Sequence, residues 1–249
     1  MFRFFKSKKK QLITTDIHAH LIPGIDDGPK TIEESIAMIR GLYNLGYKKL
    51  YATPHVYNEY YPNSRLDILA GFEVLKRNVD QANIDIEIYP AAEYFLDDSF
   101  MDLLHKNELL PIANKYLLVE DAFFERKDLI ENYIFQIKVT GYRPILAHPE
   151  RYLHIGKNKD RFRKLKEMGC LFQINQLSLV GYYGASVKRL AKYLLKEDYV
   201  DFIGTDIHNI RQVGQLKKLL QANSFQRMLR TYQFQNESLF NTIPSLVKK

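Results

Sequence analysis

The sequence predicts an α/β fold in which seven short parallel strands, separated by helices, close or nearly close into a barrel. Three observations carry this. Apolar runs of strand length alternate with helical segments almost to the C-terminus, the pattern of a parallel sheet. Side chains able to bind metal stand just after most of those runs, at the edge where barrel enzymes assemble their sites. The 249 residues contain no linker, repeat or low-complexity stretch, so one domain over 12–249 behind a basic tail over 1–11 accounts for them. Seven units in one domain suit such a barrel better than an open doubly wound sheet.

The first strand spans 12–17. Thr31-Ile-Glu-Glu34 reads as a capping box, and the helix it opens ends near Gly46. Strand 48–53 and helix 65–81 follow. Residues 84–92 alternate in the strand manner, and 99–106 form a short helix. Strand 116–120 leads to helix 129–140, stopped by Gly141, and strand 143–147 to helix 159–168, stopped by Gly169. Strand 171–174, helix 187–196 and strand 200–204 complete the alternation. The chain from Val213 onward is helical.

Composition excludes several classes. Apolar residues at 46% and charged residues at 26% are those of a soluble globular chain, and no run of eighteen apolar residues could span a membrane. The N-terminus lacks the apolar stretch and cleavage site of a signal peptide, which predicts a cytoplasmic protein. Cys170, the single cysteine, allows no internal disulfide. It is also no thiol phosphatase nucleophile, since Gln176 stands where the required arginine would be; a buried small apolar residue is the better reading. A net charge of +7 suggests anionic partners, but no nucleic-acid motif accompanies it. The first ten residues, with five cations and three phenylalanines, read as a solvated tail or as a weak contact with anionic lipid.

His18, His20 and Asp27 follow the first strand, His55 the second, Glu93 the third. Glu120 ends the fourth, His148 follows the fifth, and Asp206 and His208 follow the seventh. A lone histidine or glutamate at such a place is more often structural or surface. Nine converging on one rim need a compensating cation, because buried carboxylates and imidazoles are costly without one. Nitrogen and oxygen donors without thiolate suit Mn, Fe, Zn or Mg, and nine exceed what one ion can use, so two or three ions are expected.

The segments Asp16-Ile-His-Ala-His20, Ile25-Asp-Asp-Gly-Pro-Lys30, Thr53-Pro-His55, Ala92-Glu93, Ala147-His-Pro-Glu-Arg-Tyr152 and Thr205-Asp-Ile-His208 resemble the polymerase and histidinol phosphatase superfamily. The resemblance runs over about 12–235 and is strongest to its bacterial tyrosine phosphatases of capsule and exopolysaccharide synthesis. It implies a distorted seven-stranded barrel and three divalent ions, often manganese. His18, His20 and Asp206 would hold one, and Glu93 would bridge to a second held by Glu120 and His148. Asp27, His55 and His208 would hold the third. It also implies a tyrosine-phosphorylated protein as substrate, the tail of a membrane-associated tyrosine autokinase.

The chemistry follows from such a site. Adjacent divalent ions acidify a shared water, so hydroxide can attack phosphorus in line near neutral pH. Arg151 is the candidate cation for the phosphoryl oxygens, its planar fork holding two at once; Asp206 and His208 join it as candidate catalytic residues. Asp16 reads as orienting a histidine. Tyr57, Tyr60, Tyr61, Tyr182 and Tyr183 could flank an aromatic substrate ring or simply cover the barrel mouth. A phenol leaving group, with a pKa of about 10, needs little help from an acid. The competing readings are a histidinol-phosphate or other small phosphomonoester phosphatase and, in another class, a non-catalytic metal-binding regulator of a kinase.

Overall fold

Side chains that take the first free N–H groups set the starts of several helices in the computed structural model, which describes residues 13–124 and 129–242. The basic tail 1–11 lies outside the described residues. Strand β1 (Thr15–Ala19) leads to α1 (Ile32–Asn44), where the Thr31 hydroxyl accepts from Glu34 N. The expected box is only half made there, because the Glu34 carboxylate takes the N–H of Lys30 instead. A complete box stands at the next helix, α2 (Arg65–Gln81), between Ser64 and Asp67.

Two expected strands are each followed by a further short strand that was not foreseen. Residues 48–53 hold β2 (Lys49–Ala52), with a separate β3 (His55–Val56) after them, and 84–92 hold β4 (Glu87–Pro90), with β5 (Glu93–Phe95) beyond. Pro54 and Pro90 fall at the divisions, and neither can donate to a ladder. Helix α3 (Asp98–Lys106), β6 (Tyr116–Glu120), α4 (Leu129–Val139) and β7 (Arg143–Ala147) follow the expected alternation. A 3₁₀ turn, Pro149–Arg151, and α5 (Leu153–Lys157) were not foreseen. Then come α6 (Asp160–Glu167), β8 (Leu171–Asn175), α7 (Ala185–Lys196), β9 (Phe202–Gly204), α8 (Ile210–Gln221) and α9 (Asn223–Thr231).

All pairings between these strands are parallel. They form a three-stranded sheet, β1-β2-β4, and a six-stranded sheet, β3-β5-β6-β7-β8-β9. Past the divisions the sheets stay in contact, Thr53 N donating to Ala19 O and Glu93 N to Pro54 O. At the other side β1 meets the chain after β9 through a parallel bridge, Ala19 to Ile207. No helix among the described residues is long and apolar enough to cross a membrane.

Two apolar cores result. The larger lies between strands and helices. The smaller gathers Ile17, Tyr51, Leu118, Ile145, Leu171 and Phe202 from strands of both sheets, and Leu239 joins it from the C-terminal segment. That segment is a 3₁₀ stretch, Asn236–Thr242, tied across β1 and β9. The buried Asn236 amide donates to Thr15 O and Ile203 O and accepts from Ile203 N, while the Glu237 carboxylate accepts from the N–H groups of Thr14 and Thr15. Asn236→Ala strips three buried backbone groups of partners and should cost about 2–4 kcal/mol in urea unfolding. The exposed control Ser238→Ala should move the midpoint by no more than about 0.5 kcal/mol.

Candidate metal centre

All nine expected side chains meet at the C-terminal ends of the strands. Bringing His18 there requires an irregularity in β1. Residues two apart normally share a face of a strand, yet Ile17 belongs to the inner core and Ala19 to the outer one. The register with β2 shifts between Asp16 and Ala19, a bulge that aims His18 and His20 at the same centre. Gly204 on β9 permits this approach, since a Cβ there would lie 2.9 Å from the His18 Cβ. His148 and Asp206 each stand just past a strand in left-handed backbone, φ 36° and 49°, strained for residues with a side chain.

Glu93 is at the middle, fully buried. Its carboxylate lies 3.0 Å from His148 Nε2, 3.2 Å from His18 Nε2, 3.2 Å from His55 Nδ1 and 3.4 Å from His20 Nε2. Asp206 lies 3.3 Å from His18 and 3.5 Å from His20. Glu120 reaches His55 at 3.0 Å, and Asp27 reaches His208 at 3.3 Å. Four groups have the reach to hold an ion: His18–His20–Asp206, His18–Glu93–His148, His55–Glu93–Glu120 and His20–Asp27–His55–His208. Glu93 and three of the imidazoles, His18, His20 and His55, are shared between groups.

The donors fit divalent cations. His55 Nδ1, Glu93 Oε2 and His148 Nδ1 are buried without a hydrogen-bond partner, and an unpartnered buried polar atom is costly. Burial opposes a charge on His18, but Glu93 and Asp206 beside it prevail and its pKa is pushed up to about 9. Burial likewise opposes ionisation of Glu93 and Asp206, yet the surrounding imidazoles hold both well below the usual carboxylate range. Such a pocket draws in positive charge, either protons or metal.

Side chains behind these donors fix their directions. His20 Nδ1 is 2.7 Å from Asp26 Oδ2, and Asp26 also accepts from Gly28 N and His55 N. Sequence reasoning singled out Asp27 and missed its neighbour, although both stand in the Asp-Asp-Gly-Pro-Lys segment. Gln173 Oε1 lies 2.7 Å from His18 Nδ1, Gln173 Nε2 donates to Asn175 Oδ1, and Asn175 Nδ2 donates to Asp206. A closed chain of side chains therefore joins His18 to Asp206. Neither Gln173 nor Asn175 had a signal in the sequence beyond being polar in an apolar strand. Asp16 corrects an expectation: it reaches no ring, accepting instead from Thr205 N, the Thr205 hydroxyl and His18 N. It ties β1 to the turn that carries Asp206, and burial pushes its pKa up to about 6.

The cluster opens into a cavity of about 550 Å³. Arg151 enters it with its guanidinium 4.6 Å over the Phe123 ring and 5.0 Å over the Tyr183 ring, Nη1 lying 3.5 Å from Asp206. Tyr57, Tyr60 and Tyr61 line the mouth, Tyr57 stacked on Phe95 and Tyr61 on His55. Tyr182 does not line it; it packs edge-on against Tyr183. Phe95, Phe123 and Phe124 do line it and were not foreseen. Cys170 is fully buried just before β8, its thiol pushed up to about 12 by burial.

Residues 14–227 match the model of the family "Capsular polysaccharide synthesis, CpsB/CapC". Tyrosine-protein phosphatase YwqE of Bacillus subtilis is 30% identical over 197 residues, 79% of this chain and 78% of that protein. Tyrosine-protein phosphatase CpsB of Streptococcus agalactiae is 27% identical, with 78% and 83% covered. A solved structure from work on Bacillus subtilis YwqE and Streptococcus pneumoniae CpsB, metal-dependent tyrosine phosphatases, superposes with a TM-score of 0.81 at 26% identity. It covers 92% of this chain and 95% of that one. A lactonase from Listeria monocytogenes, at a TM-score of 0.50 and 12% identity, shares the fold alone.

Asp206→Ala and His148→Ala should each purify with reduced metal by elemental analysis, since each removes a donor from one of these groups. Asp26→Ala leaves every donor in place but frees the His20 ring, and should weaken metal retention against a chelator by about 10- to 100-fold. Unchanged chelator competition for Asp26→Ala would show that the ring needs no such support.

Proposed function

The chain belongs to the CpsB/CapC family of capsular polysaccharide synthesis, and from that membership we propose that it is a metal-dependent phosphatase hydrolysing phosphotyrosine in proteins. The observation that carries this reading is the setting of Arg151. A planar cation fixed between two rings, beside a buried cluster of nine nitrogen and oxygen donors, is a seat for a phosphoryl group at the end of an aromatic slot.

We take the ions to be three, manganese by preference. His18, His20 and Asp206 would hold one, Glu93, Glu120 and His148 another, and Asp27, His55 and His208 the last; the shared positions of Glu93 and His20 support a compact cluster. Divalent ions held there would supply a water acidic enough to attack phosphorus near neutral pH. Arg151 binds two phosphoryl oxygens and neutralises charge as the bond to the leaving oxygen breaks. Asp206, held by Asn175, keeps that guanidinium oriented. Phe123, Tyr183 and the tyrosines after His55 exclude water and bracket the substrate ring. The expelled phenolate, with a pKa of about 10, leaves without a strong acid.

The same reading takes the two sheets as one distorted seven-stranded barrel with its seam at the Ala19–Ile207 bridge. It makes the substrate the phosphorylated tail of a membrane-associated tyrosine autokinase, met at the cytoplasmic face, and the net charge of +7 favours such an anionic partner.

Phosphotyrosine peptides should lead phosphoserine peptides and histidinol phosphate by at least about tenfold in kcat/KM at one salt and metal concentration. A preference for histidinol phosphate would leave a metallophosphatase with a different substrate. Chelation should abolish turnover and manganese restore it, while Cys170→Ser leaves it nearly intact. Arg151→Ala should keep its metals yet lose about 2–4 kcal/mol in kcat/KM, roughly 30- to 1000-fold, and inorganic phosphate should become a weaker competitive inhibitor.

A further inference from the structure

A second concave surface lies between α5 and α7, outside the metal centre. It encloses about 380 Å³, with Leu153, Leu190 and the Tyr193 ring as floor and Lys157, Lys159 and Arg189 at its sides. The helices meet closely because Gly156 has no side chain; a Cβ there would come within 2.8 Å of Leu190. Cations on the neighbouring helix are paired, as Arg163 is with Asp160 and Glu167. Among the described residues, no ion pair engages Lys157, Lys159 or Arg189. Lys159 lies 4.1 Å over the Tyr193 ring, and Arg189 donates to Ser186. Three cations without counterions beside an apolar floor are an unbalanced arrangement that an anionic ligand completes.

The groove lies along the two helices that begin next to the phosphate end of the pocket. Helix α5 starts at Leu153, just past Arg151, and α7 starts at Ala185, just past Tyr183, whose ring covers that guanidinium. A chain seated by its phosphotyrosine against Arg151 can therefore run out along this groove. We propose that the groove binds an acidic stretch of the substrate protein, so that phosphotyrosines flanked by Asp and Glu are selected. This rests on the phosphotyrosine reading above. The side-chain stems of such a stretch pack on Leu153 and Leu190, and its carboxylates meet Lys157, Lys159 and Arg189. Exposed charges of this kind act chiefly on encounter and are weakened by salt.

The test compares peptides with one phosphotyrosine core and either Asp/Glu or Ser/Asn on the N-terminal or the C-terminal side. The wild type and a Lys157→Glu/Arg189→Glu variant are assayed with manganese, with p-nitrophenyl phosphate as a substrate too small to reach the groove. Acidic flanks on at least one side should raise wild-type kcat/KM by about tenfold at low salt, and the gain should shrink near 0.5 M NaCl, where the screening length is only a few ångströms. The variant should lose or invert this preference while p-nitrophenyl phosphate changes by less than about twofold; Lys157→Gln/Arg189→Gln should show the loss without inversion. Flank-independent rates in the wild type, or a preference that survives charge reversal, overturn the inference and leave the phosphatase reading intact. Binding to phosphatidylserine vesicles that charge reversal abolishes, alongside flank-independent peptide rates, overturns it in favour of a lipid surface. Failure to cleave any phosphotyrosine peptide while p-nitrophenyl phosphate is turned over removes the reading on which it rests.

Discussion

Glu93 has no exposed surface and four imidazoles around it, and one of its oxygens lacks a hydrogen-bond partner. A carboxylate so placed is stable only with positive charge beside it, and protons on the imidazoles or metal ions among them are the two available sources. Much of the surrounding architecture serves this balance. The bulge in β1, the bare Cα of Gly204 and the left-handed backbone at His148 and Asp206 are all departures from regular structure. Each carries a local cost, and each brings another donor within reach of the same few ångströms.

Holding those donors takes a second layer of polar side chains. Metal ligands that swing freely would lose affinity to the entropy of ordering them. Here Asp26 fixes one imidazole, Gln173 another, and Asn175 links the second of these to Asp206 and so to the neighbourhood of Arg151. Glu150 continues the chain outward, its buried carboxylate accepting from Asn175 N and the Ser178 hydroxyl. The candidate metal donors and Arg151 are thus joined by one network of hydrogen bonds and an ion pair.

Much of this was legible in the sequence. Strands β6 and β7 fall on the residues their apolar runs indicated, because a strand covered on both faces is written as a continuous run. The nine donors were visible because barrel chemistry gathers at strand ends, so residue type and position coincide there. What stayed hidden depends on contacts distant in sequence. Whether Asp16, Asp26 or Asp27 reaches a ring is decided by the path of a loop. Gln173 and Asn175 are ordinary polar residues until folding sets them behind His18 and Asp206. The end of β2 was marked by Pro54, whereas Pro90 at the end of β4 was outweighed in a local reading by the alternation that runs through it. Phe123 and Leu239 acquire their roles only from where the turn and the C-terminal segment dock.

The Asp16–Thr205 contact joins residues 189 positions apart, at a seam also bridged by Asn236. His18 and His20 come from one end of the chain and Asp206 and His208 from the other, so an ion in this centre acts as a cross-link closing nearly the whole chain into a loop. During synthesis the early histidines emerge long before their partners exist. The site is complete only where β1 meets the chain after β9, so a bound ion would stabilise that long-range closure.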